Sequence, residues 1–214
     1  NQELGGLSRV YSWGFERGYV KGNPCKGVRK FTLKDREVYI TVEEYQAIYD
    51  EAAPALKVGM EISYLCAARV SDVLSLTWEQ ISESGIFIQQ GKTGTKQIKA
   101  WTVRLHNAVE LGRSLGGATT VICSSKGTRY SKSGFNDLWE KARESASVKL
   151  GRKLVCTFHD LKAKGISDYQ GSSREKQIFS GHKTESQVLV YDRKTKITPT
   201  LDLPAISDSE RDEC

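Results

Sequence analysis

The 214 residues are 38% apolar, 27% charged and 9% aromatic, which suits one domain of about 150 residues with an appendage rather than two full domains. No apolar run approaches the ~20 residues of a membrane-spanning helix, so a soluble protein is expected. Basic residues outnumber acidic ones 32 to 26, and because residues 192–214 hold six acidic against four basic, residues 1–191 carry a net +8, a balance that favours a polyanionic partner, nucleic acid first.

Leu4, Leu7, Val10, Tyr11 and Phe15 fall at helical spacing, and Gly18, Gly22, Asn23 and Pro24 close that helix. Residues 26–35 are rich in Lys and Arg with no apolar period and read as a linker able to lie along a phosphate backbone. A second domain is expected to start near Arg36, and Thr41-Val-Glu-Glu44 then forms a capping box ahead of Tyr45, Ile48 and Tyr49 on one helix face. Leu56, Met60 and Tyr64, with Ile62 and Leu65 beside them, suggest a buried helix, and Val70, Val73, Leu74 and Leu76 a short one. Ile86 and Ile88, then Ile98, Ala100 and Thr102 beyond Gly91-Lys-Thr-Gly94, alternate as two strands of an antiparallel hairpin. Helical patterns follow over roughly 106–115, 135–146, 159–169, 174–179 and 185–191. The expected fold class is α+β, mostly α-helical with a small antiparallel β-sheet.

Cys25, Cys66, Cys123, Cys156 and Cys214 are odd in number, widely spaced and without a Cys-x-x-Cys pair, which argues against a disulfide framework and a structural zinc site. Free thiols in a reducing compartment are expected. The start at Asn1, without a secretory pattern and with Met60 as the one methionine, reads as a cut in a longer parent. Gly85 and Gly91 enclose five strand-like residues, which fails the spacing of a phosphate-binding loop. His106, His159 and His182 lack metal-ligand spacing, and Ser180-Gly-His182 lacks the turn of a serine hydrolase.

The segment Cys66-Ala-Ala-Arg69-Val-Ser-Asp-Val-Leu-Ser-Leu-Thr-Trp78 resembles the first-arginine box of the tyrosine recombinases of phage-integrase type, with Arg69 at the arginine position. Lys92 in Gly-Lys-Thr-Gly-Thr-Lys96 matches that family's hairpin lysine. Phe158-His159-Asp-Leu-Lys162 resembles its His-x-x-Arg box, Ser180-Gly-His182-Lys-Thr184 its Gly-His box, and Tyr191, nine residues after His182, its nucleophile. The resemblance covers residues 36–193. Its one departure is Lys162, which keeps a positive charge but lacks the planar fork of arginine. Residues 1–30 look like the last helix and exit of the family's core-binding domain, so the expected division is 1–30 for a truncated DNA-binding helical domain and linker, 31–196 for the catalytic domain and 197–214 for a tail.

Elementary chemistry asks for the same residues. A phosphodiester under attack needs a nucleophile, positive donors around its two non-bridging oxygens and a proton source for the leaving 5′ oxygen. A free phenol, with a pKa near 10, is about a thousandfold protonated at pH 7, so cations or a base must favour the phenoxide of Tyr191. Arg69 and Lys162 are expected to grip the phosphate with His182 donating a further hydrogen bond, Lys92 to protonate the 5′ oxygen, and His159 to act as base or phosphate donor. Taken singly each has an ordinary reading: an ion-pair arginine, a solvated turn lysine, a helix-capping or loop histidine, a core tyrosine. Asp72, three residues after Arg69, reads either as its ion-pair partner or as a helix-surface carboxylate. Arg129, Lys132, Arg152 and Lys153 are candidate phosphate contacts.

The resemblance implies a site-specific recombinase of a phage or mobile element that cuts and rejoins DNA through a 3′-phosphotyrosyl intermediate. Because that diester conserves the ester linkage, no ATP, metal or other cofactor is expected. It further implies double-stranded DNA attachment sites, a homo-tetramer on paired sites, accessory DNA-bending or directionality proteins and the cytoplasm of a bacterial host. The tail, with Leu201, Leu203 and Ile206, reads either as a segment docked on a neighbour or as a disordered acidic end. Two alternatives stay open: a non-cleaving DNA-binding regulator on the same scaffold, and a type IB topoisomerase-like activity without site preference.

Overall fold

Contacts divide the chain at Arg36 into two units, Asn1–Arg36 and Glu37–Cys214, and the computed structural model describes residues 1–32, 36–195, 198, 200 and 201. In the first unit α1 (Gln2–Glu16) precedes Gly18, whose φ of 74° lies in the left-handed region that glycine enters freely. The amide of Asn23 then bonds Ser8 and Ser12, tying the returning chain to the helix. Leu7, Val10, Trp13 and Phe15 remain exposed, so this unit has no substantial core of its own.

The second unit opens with α2 (Val42–Glu51), where the capping box is complete: the Glu44 amide donates to Thr41 Oγ1 at 3.1 Å and the Thr41 amide to Glu44 Oε2 at 3.0 Å. Pro54 begins α3 (Pro54–Cys66), which is buried along most of its length, and α4 (Val70–Leu74) follows. After a 3₁₀ turn come β1 (Ile81–Ser82), β2 (Gly85–Gln89) and β3 (Lys96–Lys99), then α5 (Val103–Ser114), α6 (Lys132–Lys149), α7 (Asp160–Asp168), α8 (Ser173–Ser180) and α9 (Glu185–Leu189).

The central helix α3 packs against α5 and α7, while α2 lies on α6. A Cβ on Gly165 would stand 2.2 Å from Tyr64 O, so a side chain there would prevent α7 from lying this close to α3. The core joins Ile40, Ile48, Leu56, Met60, Ile86 and Trp139, and Phe158 meets Phe135 and Trp139 edge to face at 5.2 and 5.6 Å. Cys25, Cys66, Cys123 and Cys156 are free thiols, and Cys214 lies outside the described residues. No helix of the described residues is long and apolar enough to cross a membrane.

Three features differ from the sequence expectation. The sheet has three antiparallel strands in the order β1-β2-β3, the extra one being the two-residue β1, too short to show a period. Strand β3 ends at Lys99, Thr102 instead caps α5, and Ile98 is 58% exposed, because Gln97 and Lys99 carry the inward face. Helix α9 stops at Leu189, so Tyr191 occupies the turn beyond it rather than the helix. In the tail Leu201 is exposed, and Leu203 and Ile206 lie outside the described residues.

Candidate active site

Helix α3 ends on Ala67, buried and left-handed at φ 49°, a conformation costing a non-glycine residue roughly 1–2 kcal/mol. The turn is held from both sides: Ser63 Oγ donates to Ala68 O at 3.0 Å and Lys162 Nζ to Ala67 O at 2.5 Å. It delivers Arg69 to the start of α4, where Nη1 donates to Gln90 Oε1 at 2.5 Å. Asp72 is neither a surface carboxylate nor the partner of Arg69. It is buried, its Oδ1 accepts from the Gly91 amide at 3.1 Å, and its Oδ2 has no hydrogen bond. Asp72 therefore anchors the hairpin turn that carries Lys92, whose own side chain is exposed.

Tyr191 is fastened by its own chain. Ser167 Oγ donates to Tyr191 O at 2.9 Å and accepts from the Arg193 amide at 2.7 Å. Asp192 pairs with Lys176 at 2.9 Å and Arg193 with Asp160 at 2.7 Å, all four side chains nearly buried. Beneath the ring, Val188 packs with Ala67 and Ile166. His159 precedes α7 without capping it, and Asp160 Oδ2 ties the approach to the helix by accepting from Thr157 N and Oγ1. The imidazole is thus left to Tyr191, with Nε2 3.3 Å from the phenolic oxygen. His182 stacks on the phenol ring at 4.9 Å, and Lys162 Nζ lies 5.9 Å from its centroid.

Lys162 is fully buried and donates to Ser180 O at 3.4 Å as well as to Ala67 O. Burial, then the charges of Arg69 and Lys99, lowers its pKa to about 7. It lies beneath the site, not on its open face, with two of three ammonium protons committed to carbonyls. Burial, with Lys162, Arg69 and Lys92 adding to it, lowers His182 to about 4, so the ring is neutral at pH 7. Partial burial likewise holds His159 below the usual imidazole value, against the opposing pull of Asp160.

Ser180 Oγ is 2.7 Å from both Lys176 O and His182 Nδ1. One hydroxyl proton cannot serve both, and both contacts are satisfied when Nδ1 carries the ring proton. His182 Nε2, buried and unpartnered, is then an acceptor. In this arrangement His182 can donate to a phosphate once the ring gains a proton or exchanges tautomers.

Arg129, Lys132, Arg152 and Lys153 are exposed but do not form one patch. Lys132 opens the 18-residue α6, and Arg152 and Lys153 lie past its end, about 27 Å away at 1.5 Å per residue. Arg152 is also occupied, donating to Glu44 at 2.5 Å and Glu43 at 3.2 Å. Sequence reasoning missed Gln90 and Arg193. Neither carries a periodic signal, since a polar residue just past a strand and an arginine after a short helix look ordinary along the chain.

The assembled group offers a hydroxyl beside an imidazole, with lysine and arginine cations around it, the arrangement needed for attack on an anionic diester. A sequence model of the phage integrase family matches residues 38–197. The chain is similar to the integrase of Escherichia phage HK022, 26% identical over 197 residues that cover 86% of this chain and 55% of that protein. It is 23% identical to the integrase of Escherichia phage lambda over the same shares. The chain spans about half the length of the curated relatives it matches. Among solved structures, a lambda integrase (75–356) dimer bound to a COC′ core site superposes with a TM-score of 0.77 at 21% identity, covering 94% of this chain and 75% of that one. A lambda integrase tetramer bound to a Holliday junction gives 0.74 at 21%, covering 92% and 60%.

Proposed function

Because the chain belongs to the phage integrase family, we propose that it is the catalytic part of a site-specific recombinase that cleaves and rejoins double-stranded DNA through a 3′-phosphotyrosyl intermediate. Tyr191 attacks the phosphorus, Arg69 binds a non-bridging oxygen, Lys162 supports the site from below, and Lys92 protonates the leaving 5′ oxygen. His159 takes the phenolic proton or bonds the phosphate, and His182 does the latter once protonated. Arg129, Lys132 and Lys153 add basic surface for the duplex. Lambda integrase has been solved as a tetramer on a Holliday junction, and a homo-tetramer on paired sites in a bacterial host cytoplasm is the assembly proposed for this chain, with accessory proteins setting direction. Residues 1–30 then end a core-binding domain, 31–196 are catalytic and 197–214 form a tail.

The observation that carries this reading is Tyr191 held in cis with its hydroxyl 3.3 Å from His159 and its ring on His182. Covalent trapping on nicked duplexes, followed by peptide mapping, tests it. An adduct on Tyr191 is expected, and Tyr191→Phe should abolish it while keeping DNA affinity. Salt-sensitive binding with no adduct from the parent protein would point to the non-cleaving regulator, and relaxation of any supercoiled plasmid to the topoisomerase.

A further inference from the structure

We propose that Gln90 is a positioning residue for strand cleavage, which holds Arg69, the Lys92 turn and the end of α8 in one arrangement; this rests on the reading of the active site given above. The side chain is 4% exposed and both of its polar atoms are engaged. Oε1 accepts from Arg69 Nη1 at 2.5 Å and from Thr93 Oγ1 at 3.1 Å, and Nε2 donates to Ser180 O at 2.8 Å. The main chain of the same residue closes the hairpin, its N donating to Thr95 O and its O accepting from Gly94 N, each at 2.8 Å. Lys92 lies inside this loop, its neighbour Gly91 bonded to Asp72 and its neighbour Thr93 to Gln90. Its place therefore depends on two buried side chains, Asp72 and Gln90.

The far end of the linkage is equally specific. The last carbonyls of a helix have no partner within it, and those of Ile178, Phe179 and Ser180 accept from Gln97 Nε2, Lys99 Nζ and Gln90 Nε2 of the hairpin. Ser180 O also accepts from Lys162, and Ser180 Oγ meets His182. One amide thus connects Arg69 to the residue that orients His182 and Lys162. The packing has no slack, since a Cβ on Gly181 would fall 2.3 Å from Gln90 Nε2. A shift of about 1 Å in reacting groups costs on the order of 100-fold in rate, and loss of this amide frees the acid and the phosphate donor together.

The test compares the parent protein with Gln90→Met, which keeps the volume but neither hydrogen-bonding atom. Substrates are nicked duplexes resynthesised from those the parent cleaves in a randomised pool, with the scissile 5′ oxygen present or replaced by sulfur. A sulfur leaving group departs as a thiolate and needs little help from an acid. Gln90→Met is expected to form adduct about 100-fold more slowly on the oxygen substrate, with unchanged DNA affinity, and the gap should narrow about tenfold on sulfur. Thr93→Val, at the half-buried turn, should show a smaller defect with the same response, which covers the case of a Gln90 variant that does not fold. Parent-like rates in these variants, or a defect equal on both substrates, would overturn the proposal. A parent protein that forms no adduct at all, where Tyr191→Phe binds DNA equally well, removes the active-site reading first and this inference with it.

Discussion

The rings of Tyr191 and His182 stack with centroids 4.9 Å apart and planes 29° apart. Helix α9 turns the chain back between them, with buried Val188 as the pivot against Ala67 and Ile166. Ser167, Lys176 and Asp160 of the same chain fasten residues 191–193 and so fix the geometry of the tyrosine.

The neutral state of His182 has a consequence for acid stability. Its folded pKa of about 4 lies below the unfolded value of 6.5, so between those values the unfolded chain binds a proton that the folded one does not, and stability falls as pH drops through that window. His182→Gln lacks this component. Its melting temperature is expected to fall less than the parent's on acidification across the window, and an equal fall would place the sensitivity elsewhere.

Lys162, at about pKa 7, is mostly neutral in the free protein at about pH 8. A DNA phosphate nearby favours the ammonium, so binding at that pH should take up close to one proton. Calorimetry in two buffers of different ionisation heat measures it. Lys162→Arg, charged throughout, should lose the uptake yet retain much of the cleavage rate. Lys162→Met should cleave about 100-fold more slowly and lose roughly 1–3 kcal/mol of stability, because Ala67 O is left without its donor. Uptake unchanged in Lys162→Arg would take the proton away from this amine.

The buried pair of Lys176 and Asp192 lies next to the tyrosine. Lys176→Met removes one charge and leaves the carboxylate without that partner, which typically costs about 3–5 kcal/mol. Urea unfolding should show most of that loss, and Lys176→Met with Asp192→Leu should recover much of it. A single variant as stable as the parent would mean that the pair carries little weight in holding the 191–193 segment.

Arg152 is already neutralised by Glu43 and Glu44, so it displaces few counterions. Arg152→Ala is expected to leave the slope of log affinity against log salt unchanged, whereas Lys92→Ala should reduce it by about 0.9. A reduced slope in Arg152→Ala would show that DNA breaks these ion pairs.

Local signals were legible along the chain because their physics is local. The capping box at Thr41, the buried face of α3 and the glycine-bounded hairpin each depend on residues a few positions apart. So do His159 and Lys162, one helical turn apart, and the short step from His182 to Tyr191. The tertiary structure alone decided which polar groups meet across long separations. Gln90 reaches Ser180 ninety residues away, and Arg152 reaches Glu44 across 108. Likewise Lys162 is drawn under Tyr191 to satisfy the strained Ala67 turn, and Asp72 turns to the hairpin instead of Arg69. A buried donor or acceptor must find a partner wherever packing places one, and that placement follows from α3 seated between α5 and α7, which no periodicity encodes.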